Sequence, residues 1–150
     1  MNQFINAKET LVTDAIDGLI ETSGGRLTRL DGYPHIKVVC RADWDRSQVA
    51  LISGGGSGHE PAFAGYVGRG LADAAAVGNV FAPPSPEHIM DAARAVDGGA
   101  GVMFLYGNYT GDVMNFDMAA EECEAMGVPA HSFAVTDDVA SAPKGREGER

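Results

Sequence analysis

The stretch Val49-Ala50-Leu51-Ile52-Ser53-Gly54-Gly55-Gly56-Ser57-Gly58-His59-Glu60-Pro61 decides the fold. Val49 to Ser53 is a short apolar run closed by glycines, the pattern of a buried parallel strand. Gly54 to Gly58 then reads as the exit loop. Glycines at four of those five positions bare backbone N–H groups and permit close ligand approach. Glu60 to Val67 is expected to be a short helix, with its positive dipole end toward the loop. His59 sits where loop becomes helix and can donate to, or accept from, a ligand oxygen. Other glycine motifs fit poorly. A P-loop needs Lys and Ser/Thr where His59-Glu60 stand, a dinucleotide loop needs a third glycine, and a zinc HExxH helix needs a histidine at Phe63. A tight structural turn with a helix-start histidine stays open as the plainer reading.

Outward from this stretch the chain alternates strand and helix. Upstream, Leu11, Val12, Ala15, Ile16, Leu19 and Ile20 predict a helix over Ala7 to Thr22, stopped by Ser23-Gly24-Gly25. Leu27 to Asp43 is mixed, with a short strand expected at Ile36 to Cys40. Downstream, Ala72 to Val80 is small and apolar, a second strand. Ser85 as N-cap, Pro86 at N1 and Glu87 in the first turn open a helix to Val96, which Asp97-Gly98-Gly99 ends. Gly101 to Tyr106 is the next buried strand and Gly107 to Gly111 its exit. A helix over Asp112 to Met126 follows, capped by Gly127, then a strand over Val128 to Val135. The expected fold is α/β, with an open, mainly parallel sheet flanked by helices. Residues 1–150 show no internal repeat and no second-domain boundary. The tail from Ala142 to Arg150 reads either as a loop interrupted midway or as an ordinary frayed terminus.

The chain has 150 residues and a formal net charge of -10. That charge offers no footprint for nucleic acid and disfavours an anionic membrane surface. Any anionic ligand must then be held by local dipoles and backbone amides. No segment reaches the roughly 20 apolar residues of a membrane helix, and a cytoplasmic protein is expected. Cys40 and Cys123 are far apart in apolar surroundings and are expected to be buried, reduced thiols.

A second constellation, Asn108-Tyr109-Thr110-Gly111-Asp112, also leaves a buried strand and opens a helix. Ligands of open parallel sheets bind at the carboxyl ends of strands. The two exits therefore converge if their strands are neighbours. Asp112 can then accept a proton from a substrate hydroxyl while that oxygen attacks phosphorus. Capping and dipole alone also favour an acid there, by about 0.5–2 kcal/mol. Asp137 and Asp138 end the last strand and can line the same crevice or bind a cation, with a solvated loop as the plainer reading. His35, His88 and His131 have no partner at ligand spacing and read as structural. Phe116, Met114 and Met118 read as core.

These segments resemble the dihydroxyacetone kinase family. Leu51 to Pro61 is similar to its substrate loop, Gly65-Tyr66-Val67-Gly68-Arg69-Gly70-Leu71 continues the match, and Val96-Asp97-Gly98-Gly99 and Asn108 to Phe116 follow in order. The likeness runs from the first helix to Asp137-Asp138-Val139-Ala140. It implies that residues 1–150 are the N-terminal part of a substrate-binding kinase domain, cut in a loop. It implies substrate contacts from Gly56, Ser57, Gly58 and His59, with acid–base roles for His59 and Asp112. It further implies glycerol and carbohydrate metabolism, a homo-oligomer, and ATP with Mg²⁺ on a separate helical domain or subunit, none being bound by this chain. In a phosphotransferase-linked branch a tightly held ADP is recharged instead. The family's hemiaminal-forming histidine falls beyond residue 150, so this stretch alone is expected to be inactive.

One departure bears on the substrate. The family's lysine before Asn-Tyr-Thr-Gly-Asp is Gly107 here, which implies a roomier, less positive pocket suited to a four-carbon ketose such as erythrulose. Two other readings remain at this point. One is a non-catalytic paralogue that senses a hydroxyketone and regulates a partner. The other is a generic nucleotide-binding α/β domain, which would bind ATP by itself.

Overall fold

The computed structural model describes residues 5–30, 32 and 36–149. Along the chain run α1 (Leu11–Thr22), β1 (Leu27–Arg29), β2 (Val38–Arg41), β3 (Ala50–Ser57), β4 (Ala74–Val80), α2 (Pro86–Val96), β5 (Val102–Gly107), α3 (Thr110–Ala125) and β6 (Ala130–Val135). The strands form one sheet in the order β1-β2-β4-β3-β5-β6. β4, β3, β5 and β6 are parallel, and the β1–β2 and β2–β4 pairs are antiparallel. The mainly parallel α/β sheet expected from the alternation is the one observed.

Strand alternation sorts the side chains into two layers. On one face Val38, Ile52, Ala74, Ala76 and Phe104 meet α2 and α3 through Ile89, Val96 and Phe116, all fully buried or nearly so. Each large side chain there contributes about 1.5–3 kcal/mol through the water it no longer orders. On the other face Ile16 of α1 packs on Val39, Ala75 and Val77. At the amino end of the parallel strands, Asp73 binds the Arg41 guanidinium at 2.8 Å and accepts from the Leu51 N–H at 2.9 Å. One buried carboxylate thereby ties the starts of β3 and β4 to the end of β2. A lone charge at that depth would be costly, and the two bonds offset its desolvation.

Ser85 caps α2 as expected, accepting from the His88 N–H at 3.3 Å with Pro86 in the first turn. The other end is closed by Trp44, whose indole N–H donates to the Val96 carbonyl at 2.8 Å. Cys40 and Cys123 are free, buried thiols, and burial pushes Cys40 up to about 12. Such a thiol is not ionised near neutral pH and is chemically inert.

Several expectations are corrected. Gly54 to Ser57 belong to β3 and are not a loop. Packing requires glycine there: a Cβ on Gly54 would stand 2.7 Å from the Ala76 carbonyl, and one on Gly56 2.9 Å from the Ala82 backbone. The helix expected over Glu60 to Val67 is a series of turns with one 3₁₀ turn at Ala64–Tyr66, so no helix dipole opens behind His59. α1 starts at Leu11 because Asn6 and Thr10 both bond the Asp14 carboxylate and fold residues 7–10 as a turn. α3 begins two residues earlier than expected, at Thr110. Met114 and Met118 are exposed, at 59% and 50%, since α3 turns Phe116, Ala119 and Cys123 toward the sheet instead. His88 is half-buried on α2 and His131 exposed on β6, whereas His35 lies outside the described residues. Among the described residues no helix is long and apolar enough to cross a membrane.

Candidate active site

β3 and β5 are parallel neighbours, with Gly54 opposite Tyr106. Their exits therefore emerge side by side at the carboxyl edge of the sheet, where such folds place ligands. Between them opens a cleft of about 800 Å³, floored by Gly56 and Gly107 and walled by His59, Phe81, Tyr109 and Asp112. Asp137 and Asp138, from the exit of β6, close its far side.

Asp112 occupies the third position of α3. Its carboxylate is half-buried, and among the described residues Oδ1 is buried with no hydrogen-bond partner. An acceptor left so inside a protein is costly and marks a place where a ligand hydrogen would be welcome. Burial pushes the Asp112 carboxyl above the usual carboxylate range, opposed by the nearby His59 charge and by the residue's own backbone N–H. Both groups line the same cleft. α3 opens on Tyr109 with no side-chain cap. Its first N–H groups thus lack helical partners, and Thr110 and Gly111 line the cleft.

The remaining residues singled out from the sequence divide. Gly56 lines the cleft together with His59 and Asp112. Ser57 is buried, and its hydroxyl donates to the Gly78 carbonyl at 2.8 Å, away from the cleft. Gly58 adopts φ +100 and donates its N–H to Glu60 at 2.9 Å, shaping the turn that presents His59. Asp138 does not stand free. The Ser141 and Tyr109 hydroxyls both donate to it, and together with the Ser141 and Ala140 backbone N–H groups they hold its carboxyl down to about 2. This cluster ties the exit of β6 to the exit of β5. Among the described residues no group of three His, Cys, Asp or Glu is placed to hold a metal.

Sequence reasoning missed Phe63, Phe81 and Tyr109 as walls of the cleft. A signal existed for Phe81, because it follows the last residue of β4 at the same carboxyl edge as His59. Phe63 reaches the site only through the irregular turn after β3, which no periodicity reveals.

Several known proteins are similar to this chain. It is 43% identical over 140 residues to the dihydroxyacetone-binding subunit of a PTS-dependent dihydroxyacetone kinase from Listeria innocua, covering 93% of this chain and 42% of that protein. It is 43% identical over 151 residues to a D-erythrulose kinase of Mycolicibacterium smegmatis, covering 100% of this chain and 25% of that enzyme. The crystal structure of the dihydroxyacetone kinase from C. freundii with AMP-PNP and Mg²⁺ superposes with a TM-score of 0.87 at 44% identity, over 93% of this chain and 26% of that one. The chain thus spans under half the length of each of these proteins. The family model described as the Dak1 domain matches residues 17–150, and the chain belongs to that family.

Proposed function

We propose that this chain is the substrate-holding part of a ketose kinase and that its cleft takes a small hydroxyketone for phosphorylation. The observation that carries the reading is Asp112: a carboxylate with a buried, unpartnered oxygen, made more basic by burial, facing His59 across one cleft. A general base works best when its proton affinity is raised toward the working pH. Asp112 accepts the proton of a terminal hydroxyl as its oxygen attacks phosphorus, while His59 hydrogen-bonds to that same oxygen and orients it. Gly56, on the cleft floor, offers its backbone to the sugar.

The donor is held elsewhere. Among the described residues the cleft is lined by no lysine or arginine and by three aspartates, Asp112, Asp137 and Asp138. Such a wall repels nucleotide phosphates, so ATP and its Mg²⁺ sit on a helical domain or partner subunit, where the metal neutralises the transferring group. The assembly is a cytoplasmic homo-oligomer acting in glycerol and carbohydrate metabolism, with residues 1–150 as the N-terminal part of its substrate domain.

The substrate is a four-carbon ketose. A Cβ on Gly107 would meet nothing nearer than the Tyr109 ring at 3.5 Å, which leaves room where the family resemblance implies a lysine. The test is phosphoryl transfer by a family-length protein with its donor domain, Mg-ATP, and dihydroxyacetone, erythrulose or glycerol. The highest kcat/KM is expected for erythrulose, with glycerol unused. A strong preference for dihydroxyacetone removes the four-carbon assignment. Ketose binding without any phosphoryl transfer makes the protein a sensor instead.

A further inference from the structure

A histidine that orients a reacting oxygen must itself be held in one orientation, usually by a carboxylate or a backbone carbonyl on its second nitrogen. His59 has no such restraint. It is exposed, and among the described residues no side-chain hydrogen bond reaches its imidazole. Two aromatic rings stand against it instead. The Phe81 ring meets the imidazole edge-on, with centroids 5.2 Å apart at 79°. The Phe63 ring does the same at 6.3 Å and 74°, itself braced edge-on by Tyr66 at 6.3 Å.

Both rings are seated by the glycine-rich stretch. Phe63 lies over Gly55, where a Cβ would be 2.1 Å from the ring. Phe81 lies over Gly58, where a Cβ would be 2.8 Å from the ring. The missing side chains of these two glycines therefore make space for phenylalanines. Phe81 is also held at a conformational cost. Its φ is +51, a left-handed backbone that bulky residues avoid, and its N–H is pinned to the Ser57 carbonyl at 2.8 Å. Yet the side chain is 72% exposed, so core packing does not explain it. Strain retained on an exposed aromatic beside a reactive group points to function.

We propose that Phe63 and Phe81 are positioning residues that clamp the His59 imidazole toward Asp112, with Gly55 and Gly58 present to seat the two rings. The proposal deepens the kinase reading and rests on it for the consequence in turnover. The substitution that isolates it is Phe81→Asn, since asparagine tolerates a left-handed backbone and removes only the ring. Phe81→Tyr is the conservative control.

Proton NMR of the family-length protein reads the clamp directly. The His59 ring protons should be displaced by the aromatic ring currents, should lose that displacement in Phe81→Asn, and should regain it in Phe81→Tyr. With ketose and Mg-ATP, Phe81→Asn should lower kcat by about tenfold to a hundredfold, as a small misplacement of a reacting group does. KM should change less than threefold, and the thermal midpoint should hold or rise. Undisplaced His59 protons in the unsubstituted protein overturn the clamp whether or not the enzyme turns over. An unchanged kcat in Phe81→Asn, or a loss confined to KM, overturns it as well. Displaced protons in a protein that transfers no phosphoryl group uphold the clamp and sink the kinase reading alone.

Discussion

In the carboxyl half of β3, Gly54 has no room for a methyl group; at the end of β5, Gly107 has it. A Cβ on Gly54 would meet the Ala76 carbonyl and the Phe116 ring at 2.7 Å, whereas one on Gly107 would make only ordinary contact with Tyr109 at 3.5 Å. The two exits flank the same cleft, yet one is dictated by packing and the other is not. The β3 exit is a rigid floor, its glycines buried between β4, α3 and the turn after β4. The β5 exit is an adjustable wall whose residues can change without disturbing the sheet. Substrate preference is therefore expected to be tuned at the β5 side, and stability to depend on the β3 side.

The largest expected effect separates chemistry from folding. Asp112→Asn in a family-length enzyme should lower kcat by roughly 10²–10⁴, the usual worth of a general base, about 3–5 kcal/mol of barrier. Its effect on stability should have the opposite sign. The folded state holds the Asp112 proton more tightly than the unfolded chain does, because burial raises the carboxyl. Stability from this group is therefore lost as pH rises from the ordinary carboxylate range through the raised folded value. At neutral pH the Asn variant should melt at or above the parent, and the two should converge in acid. A variant that loses activity by unfolding would break the contrast.

Next comes the floor. Gly54→Ala forces a methyl against the Ala76 backbone, and urea titration should show a loss of roughly 1–3 kcal/mol, typical of overpacking. Ser57→Ala should follow at about 1 kcal/mol, because it leaves the buried Gly78 carbonyl without its 2.8 Å donor. Ketose affinity in the surviving folded fraction should be nearly unchanged. A large rise in ketose Kd, with stability intact, would give Ser57 a direct part in binding. The smallest stability effect is expected at Gly107→Lys, within about 0.5 kcal/mol as for an open site. Its signature should be a several-fold shift in kcat/KM from erythrulose toward dihydroxyacetone. If Gly107→Lys destabilised the protein as much as Gly54→Ala, the distinction between floor and wall would fail.

Much of this was legible in the residues. Ser85-Pro86-Glu87 marked the start of α2, the apolar runs at Leu51-Ile52 and Val102 to Tyr106 marked buried strands, and His59 and Asp112 followed two strand exits. Other features were not. The Gly54 to Ser57 segment looked like a loop because glycine is the commonest loop residue, but here glycine answers to close backbone and ring approach from β4, α3 and Phe63. The turn after β3 looked helical from its composition, although its actual course is fixed by contacts and not by periodicity. Met114 and Met118 looked like core because a helix with apolar residues on several sides does not announce which one meets the sheet.

By itself, the order of apolar runs, breakers and caps determined the α/β alternation, the mainly parallel sheet and the two exits that carry the chemistry, since each follows from local pattern. Only the tertiary structure decided that β3 and β5 are neighbours, that Asp112 is left with a buried unpartnered oxygen, and that two phenylalanines stand on glycines around His59. Those depend on which distant segments come within a few ångströms, and such distances belong to the packed chain and not to any stretch of it.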